Sequence, residues 1–418
     1  MLYSEAQEYI FGRRRMGMKF GLERVRRLIH EAGDPQKAFK TVHVVGTNGK
    51  GSTTAFLADI LENLGLRVGR MTSPHLLHYR ERMAVNGKWI PEAEVVKYLE
   101  TFMETIEECS ATFFEITTAM SAWHFRNCGV DVVVAEAGLG GRLDATRLMK
   151  GELTIFTGVE VEHRRILGTT EPLIATEKVA IAPEGTKLIA YRQTREVEKV
   201  IADRVKEKKL RRLIPEPAFR APLPGEHQRM NAGLALAAAG FFAEGEEDLE
   251  RAYEKTCRDF RWPGRIDLRK GAPDILFDVA HNPGSMGHLI DHVRSISSLP
   301  VTAVVGFLAD KFWKEMTLQL KGVFHPVVAT TPLNERCLSA EELAGEFETH
   351  GISARAEGNI GEAVETGRDI ASDGGLLVVT GSFFVVGEAM MHCWRKGWIE
   401  LPGAGEENTQ LFETAGGC

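Results

Sequence analysis

The stretch that decides the fold reads Val42-His-Val-Val-Gly-Thr-Asn-Gly-Lys-Gly-Ser-Thr-Thr54. Its β-branched run Val42–Val45 predicts a buried strand, and Ala55–Asn63, just beyond the stretch, predicts a helix. The turn between them is rich in glycine and carries one lysine and several hydroxyl groups. Glycines let backbone N–H groups close around phosphate oxygens, and a helix N-terminus adds a partial positive charge. This order of elements predicts a binding site for a nucleoside triphosphate.

The loop differs from the generic phosphate-loop signature, which requires a glycine, four residues and then Gly-Lys-Ser/Thr. Val44 stands at the position of the first glycine, and Gly51 separates Lys50 from Ser52. The alternative interpretation is an ordinary glycine turn that contains a lysine. The flanking strand and helix favour phosphate binding, with Lys50 reaching the β- and γ-phosphates. The loop residues expected to bind the nucleotide are Asn48, Gly49, Lys50, Gly51 and Ser52.

Length and composition predict a globular protein of two domains. The chain has 418 residues, which is more than one typical domain core holds. Hydrophobic residues make up 44% of the chain and charged residues 26%, values that are ordinary for a globular protein. The net charge of −7 argues against a nucleic-acid or anionic-membrane surface as the main role.

The cysteines and the hydropathy exclude some other classes. The six cysteines have no C-x-x-C spacing, so neither a zinc site nor a disulfide framework is predicted. The start of the chain lacks the pattern of a secretory signal, and no apolar run is long enough to span a bilayer. We therefore expect a cytoplasmic protein.

Strand-like and helix-like segments alternate and predict a doubly wound α/β fold. The first series of strand-like runs comprises Val42–Val45, Val68–Met71, Val130–Ala135, Leu153–Val159 and Lys187–Ala190. The second series comprises Ile275–Phe277, Val301–Val305, His325–Thr330 and Leu376–Thr380. Aromatic, Pro and Gly residues cluster at 259–265 and predict a domain boundary. The expected parts are an ATP-binding domain at 1–260, a smaller Rossmann-like domain at 261–402 and a frayed tail at 403–418.

The loop Gly46-Thr-Asn-Gly-Lys-Gly-Ser52 resembles that of the folylpolyglutamate synthase and dihydrofolate synthase family, within the Mur ligase superfamily. Further segments resemble the other motifs of this family, namely Thr72–Leu76 with Glu81-Arg82, Glu136–Thr146, Glu162-His163 with Leu167-Gly168, Glu177–Ala180, Phe277–Pro283 and Thr380–Ser382. The resemblance extends from Gly21 to Gly387. It implies an ATP- and Mg²⁺-dependent ligase that joins L-glutamate to dihydropteroate or a reduced folate through an acyl phosphate.

The resemblance also implies which residues bind metal and ATP. Ser73, Glu136 and His163 match metal ligands, and each lies at or just after the end of a predicted strand, where open α/β sheets place ligands. Lys178 matches a lysine that carries a carbamate from CO₂ and so supplies oxygen ligands to a second Mg²⁺. Lys50, His163 and Lys178 are thus the expected catalytic residues. In the second half, the expected ATP contacts are Asn231, Arg265, Asp278 and His281.

Most of these residues also have an ordinary interpretation. Ser73 before Pro74 is typical of a turn, and His163 alone is typical of a surface histidine. Lys178 on a helix is typical of a solvated lysine. Asp278 and its neighbours are typical of a turn after a strand. Glu136 is the exception, because a carboxylate at the end of a buried strand needs a partner.

Three segments match the dihydropteroate-binding parts of the family. Their expected substrate residues are Glu23, Arg24, Phe114, Glu115, Leu143, Asp144 and Ala145. Phe114 offers a flat surface to a heterocycle, although an ordinary core role is the alternative. The implied partners are small molecules, with neither nucleic acid nor membrane, and a monomer is expected.

The chain departs from the family pattern at three positions. Glu162 replaces the usual aspartate before the metal-binding histidine, Arg147 replaces an asparagine, and Phe312 replaces an acidic residue. A bifunctional synthase is the first choice. The alternatives are a folylpolyglutamate synthase alone, a Mur-type ligase for another carboxylate, and a phosphate-loop module that hydrolyses nucleotide without ligation.

Overall fold

The computed structural model describes residues 1–13, 21–298, 300–332, 336–372 and 374–401. Within these ranges the chain forms two compact units. The first unit comprises residues 1–222 and 226–260, and the second comprises residues 223–225 and the described residues from Arg261 on. The tail predicted at 403–418 lies outside the described residues. The roles assigned to the two domains stay predictions.

The first unit contains a sheet of eight strands. They are β1 (Lys40–Val45), β2 (Val68–Met71), β3 (Met83–Val85), β4 (Lys88–Trp89), β5 (Val132–Glu136), β6 (Leu153–Phe156), β7 (Lys187–Ala190) and β8 (Arg211–Leu213). Their order across the sheet is β4-β3-β2-β5-β1-β6-β7-β8. Strands β2, β5, β1, β6, β7 and β8 are parallel, and β3 and β4 add an antiparallel edge. All residues of β5 and all but Lys40 of β1 are buried, because the parallel sheet is covered on both faces.

Helices connect these strands and supply most of the residues that surround the candidate site. They are α1 (Tyr3–Gly12), α2 (Glu23–Glu31), α3 (Lys50–Asn63), α4 (Glu92–Glu108), α5 (Phe113–Asn127), α6 (Arg164–Leu167), α7 (Glu171–Val179), α8 (Arg195–Glu207), α9 (Glu226–Ala239) and α10 (Glu246–Asp259). Helix α3 begins only five residues after β1 ends, so the glycine loop is the whole connection. Helix α5 begins with a capping box formed by Thr112 and Glu115.

The second unit contains a sheet of six strands. They are β9 (Asp267–Arg269), β10 (Asp274–Asp278), β11 (Val301–Val305), β12 (Phe324–Thr330), β13 (Ala354–Glu357) and β14 (Leu376–Thr380). Their order is β13-β12-β11-β14-β10-β9, and only β9 pairs in the antiparallel direction. The helices are α11 (Pro283–Ile296), α12 (Trp313–Gln319), α13 (Ala340–Thr349), α14 (Ile360–Ala371) and α15 (Phe383–Arg395). A separate apolar core, which includes Leu276, Val305 and Phe347, lies within this unit.

The predicted α/β class with a doubly wound parallel sheet is confirmed, with corrections at strand ends. Strand β5 includes Glu136 instead of ending before it, and β6 ends at Phe156 instead of Val159. Beyond Phe156, Thr157 turns its hydroxyl to the carbonyl oxygen of Asn48, at 2.6 Å. Among the described helices, none has both the length and the apolar character needed to cross a membrane.

Candidate active site

Four neighbouring strands of the first sheet end at the same edge, and each brings a predicted site segment there. The strand order β2-β5-β1-β6 places Ser73, Glu136, the loop from Gly46 and the segment from Thr157 side by side. The register agrees, because Val44 of β1 pairs with Glu136. Polar groups that are distant in the sequence therefore meet at the carboxyl edge of the sheet, where α/β folds bind ligands.

The glycine loop leaves the N-terminus of α3 open. Gly49 is the N-cap residue, and no side chain among the described residues caps the helix there. Gly49 has a left-handed backbone with φ of 82°, and a Cβ atom at this position would lie 2.3 Å from Asn231 Oδ1. Only glycine fits this conformation without strain. The first N–H groups of α3 are thus available to an anion, which is the arrangement that binds phosphate.

Lys50 lies folded over its own loop. Its ammonium group donates hydrogen bonds to the carbonyl oxygens of Gly46, at 3.0 Å, and Thr47, at 2.9 Å. These contacts hold the positive charge directly beside the loop that would surround the phosphates. The role of Lys50 in binding the β- and γ-phosphates stays a prediction.

Glu136 is a buried carboxylate that faces the phosphate loop. It is only 4% exposed, and its Oε2 accepts a hydrogen bond from the backbone N–H of Ser73 at 2.9 Å. A Cβ atom on Gly51 would lie 3.7 Å from the same oxygen. Two of the three predicted metal ligands, Ser73 and Glu136, are therefore adjacent, beside the first turn of α3.

Lys178 is buried within the same edge of the sheet. Its ammonium group donates to the carbonyl oxygen of Gly46 at 2.6 Å and to Glu162 Oε1 at 2.8 Å. Burial, together with the positive charge of Lys50, lowers the pKa of Lys178 to about 8. Burial also raises the pKa of Glu162, but the charges of Lys178 and Lys50 outweigh this effect and bring it to about 2. The solvated lysine expected from the alternative interpretation is thus wrong.

His163 lies next to this pair but is exposed. It has a left-handed backbone, with φ of 46°, and is the N-cap residue of α6. Its charge contributes to the low pKa of Glu162. In the described part of the chain, no three His, Cys, Asp or Glu side chains form a group that could hold a metal. Glu136 is the buried carboxylate among the predicted metal ligands, and metal binding by Ser73, Glu136 and His163 stays a prediction.

Helix α9 brings a pair of buried amides to the phosphate loop. Asn231 Nδ2 donates to Gln228 Oε1 at 3.0 Å, and Gln228 Nε2 donates to Ser52 Oγ at 3.4 Å. Asn231 lies in the first unit, within the predicted domain 1–260, and is beside Gly49. Its contact with ATP stays a prediction.

The predicted substrate residues gather around the start of α5. Arg24 Nε donates to both carboxylate oxygens of Glu115 at 3.0 Å, and Glu115 also accepts from the N–H and hydroxyl of Thr112. The ring of Phe114 lies against Gly138, where a Cβ atom would be 2.5 Å from Phe114 Cζ. Glu115 therefore orients Arg24 and also caps the helix.

The segment 143–145 is held by its own carboxylate. Asp144 is 4% exposed and accepts from the N–H groups of Leu139, at 2.8 Å, and Thr146, at 3.0 Å. Burial raises the pKa of Asp144. Ala145 belongs to a buried apolar cluster against which Phe114 packs, so the α5 and 143–145 segments are neighbours. Glu23 is exposed at the start of α2, and its carboxylate lies over Gly21.

In the second unit, three predicted ATP contacts lie close together around the end of β10. Asp278 accepts hydrogen bonds from the N–H groups of Ile266 and Ala280, both at 2.9 Å, and burial raises its pKa. His281 Nδ1 lies 2.8 Å from the carbonyl oxygen of Val279, so this nitrogen carries the proton. The ring centroids of Phe383 and His281 are 5.7 Å apart. Cζ of the Arg265 guanidinium lies 5.3 Å from the centroid of the Phe383 ring.

Comparisons with known proteins identify the family. Residues 264–383 match the Mur ligase, glutamate ligase domain. A probable bifunctional folylpolyglutamate synthase/dihydropteroate synthase of Halobacterium salinarum is 33% identical, with 96% of this chain and 52% of that protein covered. The dihydrofolate synthase/folylpolyglutamate synthase of Escherichia coli is 31% identical, with 88% of this chain and 90% of that protein covered. The chain belongs to the folylpolyglutamate synthase and dihydrofolate synthase family.

Solved structures of this family share the fold. A structure of E. coli FolC in complex with DHPP and ADP has a TM-score of 0.85 at 25% identity, covering 95% of this chain and 99% of that one. A Yersinia pestis bifunctional folylpolyglutamate synthase/dihydrofolate synthase, complexed with AMPPNP and a Mn ion, has a TM-score of 0.82 at 27% identity, covering 93% and 97%. The Mur ligase type of fold is confirmed. The chain spans about half the length of the haloarchaeal relatives that it matches.

Sequence reasoning from the family motifs missed three residues that shape the site. Gln228 links Asn231 to Ser52, and Thr47 and Thr157 tie the phosphate loop to the segment after β6. A signal for Gln228 existed, since Gln228 and Asn231 are polar residues spaced i,i+3 in an alanine-rich helix. The two threonines gave no signal, because a hydroxyl next to a glycine turn is common in any loop.

Proposed function

We propose that this chain is an ATP-dependent ligase that joins L-glutamate to a pteroyl substrate, with dihydropteroate or a reduced folate as the acceptor. The observation that carries the proposal is the meeting of the uncapped phosphate loop, Glu136 and Lys178 at one sheet edge. A nucleotide module that only hydrolyses its ligand has no need of a buried lysine there. The names of the E. coli and haloarchaeal relatives support a pteroyl substrate.

The chemistry requires the acceptor carboxylate to become a better electrophile. ATP transfers its γ-phosphoryl group to that carboxylate, and the glutamate amine then attacks the acyl phosphate and releases inorganic phosphate. In this chain, the N–H groups at the start of α3 bind the phosphates and Lys50 neutralises charge that develops on them. Mg²⁺, when bound, withdraws charge from the phosphate oxygens. Ser73 and Glu136 would hold it, with His163 as the third ligand that the family resemblance implies.

Lys178 is proposed to carry a carbamate and so to serve a second metal. The reaction needs a neutral amine, and a pKa of about 8 leaves a useful neutral fraction near neutral pH. The side chain is 2% exposed, which protects a carbamate from bulk water. Carbamylation would replace the cation that pairs with Glu162 by an anion, so the second metal would have to compensate both charges.

The remaining assignments complete the proposal. Glu23, Arg24, Phe114, Glu115 and the segment 143–145 would bind the pteroyl group, with Phe114 as the aromatic surface. Asn231 would contact ATP beside Gly49, and Arg265, Asp278 and His281 are the further residues proposed to contact ATP. The first unit would then be the ATP-binding domain and the second the glutamate-ligase domain. A cytoplasmic monomer stays a prediction, which cell fractionation and size-exclusion chromatography with light scattering would check.

An ADP-release assay tests this function. The purified chain is given Mg·ATP and L-glutamate with either dihydropteroate or tetrahydrofolate, and each substrate is omitted in turn. A bifunctional synthase releases ADP with both acceptors, and a folylpolyglutamate synthase alone does so only with the folate. ADP release that ignores both glutamate and pterin would refute the ligase and favour a simple nucleotide hydrolase. Mass spectrometry of the product would show the added glutamate.

A further inference from the structure

Three consecutive residues of the phosphate loop are hydrogen-bonded to the other side of the site. Gly46 O accepts from Lys178 at 2.6 Å, Thr47 N donates to Gly158 O at 2.9 Å, and Asn48 O accepts from Thr157 Oγ1 at 2.6 Å. We call residues 157–162, which follow β6, the bracing segment. The phosphate loop is therefore fixed from outside at each of the three positions that precede Gly49.

Thr47 makes the most complete of these contacts. Its hydroxyl donates to the carbonyl oxygen of Glu160 at 3.3 Å and accepts from the N–H of the same residue at 3.1 Å. With its own N–H on Gly158, Thr47 joins two residues of the bracing segment. It is 7% exposed, so water has little access to replace these bonds.

The bracing segment ends in the residues that lie beside the metal candidates. Its last residue, Glu162, pairs with Lys178, and His163 follows directly. Lys178 closes a ring, because it also donates to Gly46 of the phosphate loop. A shift of the loop on binding phosphate must therefore shift Glu162 and Lys178, or break hydrogen bonds that are buried or partly buried.

We propose that Thr47 and Thr157 are positioning residues that couple nucleotide binding at the phosphate loop to metal binding beside Lys178. The inference rests on the proposed function, since it takes the loop as the phosphate site and Lys178 as part of the metal site. Neither threonine needs to touch ATP or metal. Coupling between two sites is reciprocal. Mg²⁺ therefore tightens nucleotide binding through the bracing segment by the same factor by which nucleotide tightens Mg²⁺ binding.

The test measures ADP affinity by calorimetry with and without Mg²⁺, and takes the ratio of the two dissociation constants as the coupling. In Thr47→Val, which keeps the shape but loses both hydroxyl contacts, we expect this ratio to fall by about 10-fold, within the usual range of coupling between sites. Thr47→Ser keeps the hydroxyl and should retain the ratio. The matched control is Thr54→Val, since Thr54 is fully buried in α3 and its hydroxyl has no partner in the described chain.

A second readout needs no ligand. Hydrogen exchange of the free protein should be faster in the bracing segment of Thr47→Val, because the Glu160 N–H loses its acceptor. Thr157→Val removes only the hydrogen bond to the Asn48 carbonyl oxygen. It replaces Thr47→Val in both measurements if Thr47→Val does not fold. It should lower the coupling ratio less than Thr47→Val does.

The outcomes are distinct. An unchanged coupling ratio and unchanged hydrogen exchange in a folded Thr47→Val protein would refute the coupling role of Thr47. The proposed ligase function would not be affected. A coupling loss that Thr54→Val shares would also refute the coupling role, since the effect would then come from packing. If the wild-type protein bound no ADP, with or without Mg²⁺, both the proposed function and the coupling role of the two threonines would be refuted.

Discussion

In both sheets a short turn joins the end of a parallel strand to the next helix. The residue at the N-cap position of that helix differs between the two sheets. In the first unit, β1 leads into α3 through Gly49, and no described side chain caps that helix. In the second unit, β10 leads into α11 through Asn282 and β14 leads into α15 through Ser382. Both residues cap their helix by accepting the N–H of the third residue beyond them.

At α11 and α15 an N-cap side chain satisfies one of the first N–H groups, whereas at α3 the N-cap glycine has no side chain to do so. A capping side chain satisfies an N–H group that would otherwise need water or an anion. At α11 and α15 the sequence supplies that group, so the turns are complete by themselves. At α3 it supplies glycine and two buried or half-buried lysines instead, Lys50 and Lys178. The comparison supports the proposal that phosphate binds at the start of α3.

Lys50→Ala should produce the largest change, because it removes the positive charge beside the open helix end. We expect the turnover number to fall by about 10³-fold, at the upper end for loss of one group that stabilises developing charge. The fold should survive, since Lys50 contacts only carbonyl oxygens of its own loop among the hydrogen bonds seen here. Near-normal ligation by a folded Lys50→Ala protein would contradict the proposal that the start of α3 and Lys50 bind the phosphates.

Lys178→Arg should be almost as damaging, although it preserves charge. An arginine cannot form the carbamate and cannot fill the same contacts with Gly46 and Glu162. Lys178→Ala should be partly rescued by acetate, which restores an oxygen ligand. An active Lys178→Arg enzyme would remove the carbamate and leave the phosphate loop as the main feature of this edge.

The pKa of Lys178 predicts the pH dependence of its reaction with CO₂. Its folded pKa of about 8 lies below the ordinary 10.5, so the neutral amine becomes dominant as the pH rises through about 8. Uptake of ¹³C-labelled CO₂ by the protein with Mg²⁺ present, followed by NMR, should therefore increase from pH 7 to pH 9 at constant dissolved CO₂. Lys178→Ala provides the blank. Uptake that is flat over this range would contradict the lowered pKa.

Glu136→Gln should raise the Mg²⁺ concentration needed for half-maximal activity by at least 10-fold, roughly the smallest effect seen even for changes behind the metal ligands. An amide oxygen is a weaker ligand for a hard cation than a carboxylate, whereas the amide keeps the shape and can still accept from Ser73. A Mg²⁺ titration checks this. An unchanged titration would make Glu136 a structural acceptor for the β2 turn.

Gly49→Ala and Gly65→Ala form a matched pair that sharpens the comparison. Both glycines have a left-handed backbone, with φ of 82° and 87°, so either substitution costs about 1–2 kcal/mol of stability. Only at Gly49 would the new methyl group also meet Asn231, since no described atom lies within 4 Å at Gly65. Weaker ADP binding in Gly49→Ala alone is expected. Equal ADP binding in both variants would mean that the loop tolerates movement of Asn231.

Ser339→Ala should give the smallest effect. Ser339 caps α13 by accepting the N–H of Glu342 at 3.1 Å, and losing such a cap costs about 1 kcal/mol. Urea unfolding should show this loss while ADP affinity stays the same. A change in ADP affinity would contradict the view that capped helices in the second unit are complete without ligand.

The central strands could be predicted from the sequence because most of their residues are apolar or β-branched, as is typical of strands buried on both faces. The phosphate loop followed from its glycines and lysine. The short edge strands β4, β8 and β9 were not predicted, since two or three mostly polar residues carry no periodicity.

The site could be predicted only in part. Glu136 could be predicted as a site residue because it is a carboxylate at the end of a buried strand. The ion pair of Lys178 with Glu162 and the contact of Asn231 with Gly49 depend on tertiary packing across many residues, which no local pattern contains. The metal ligands, substrate contacts and contacts from the second unit were inferred from family motifs and stay predictions.

The open start of α3 has a consequence for the lifetime of the protein in the cell. If the loop binds ATP as proposed, every bound nucleotide stabilises the folded chain by mass action. A ligand at 1,000 times its dissociation constant adds about 4 kcal/mol, which is comparable to a large part of the stability of a typical domain. When the ATP level falls, the chain loses about 1.4 kcal/mol of this support for each tenfold decrease and becomes easier to unfold and degrade. The abundance of the enzyme would then follow the energy state of the cell without any separate regulator.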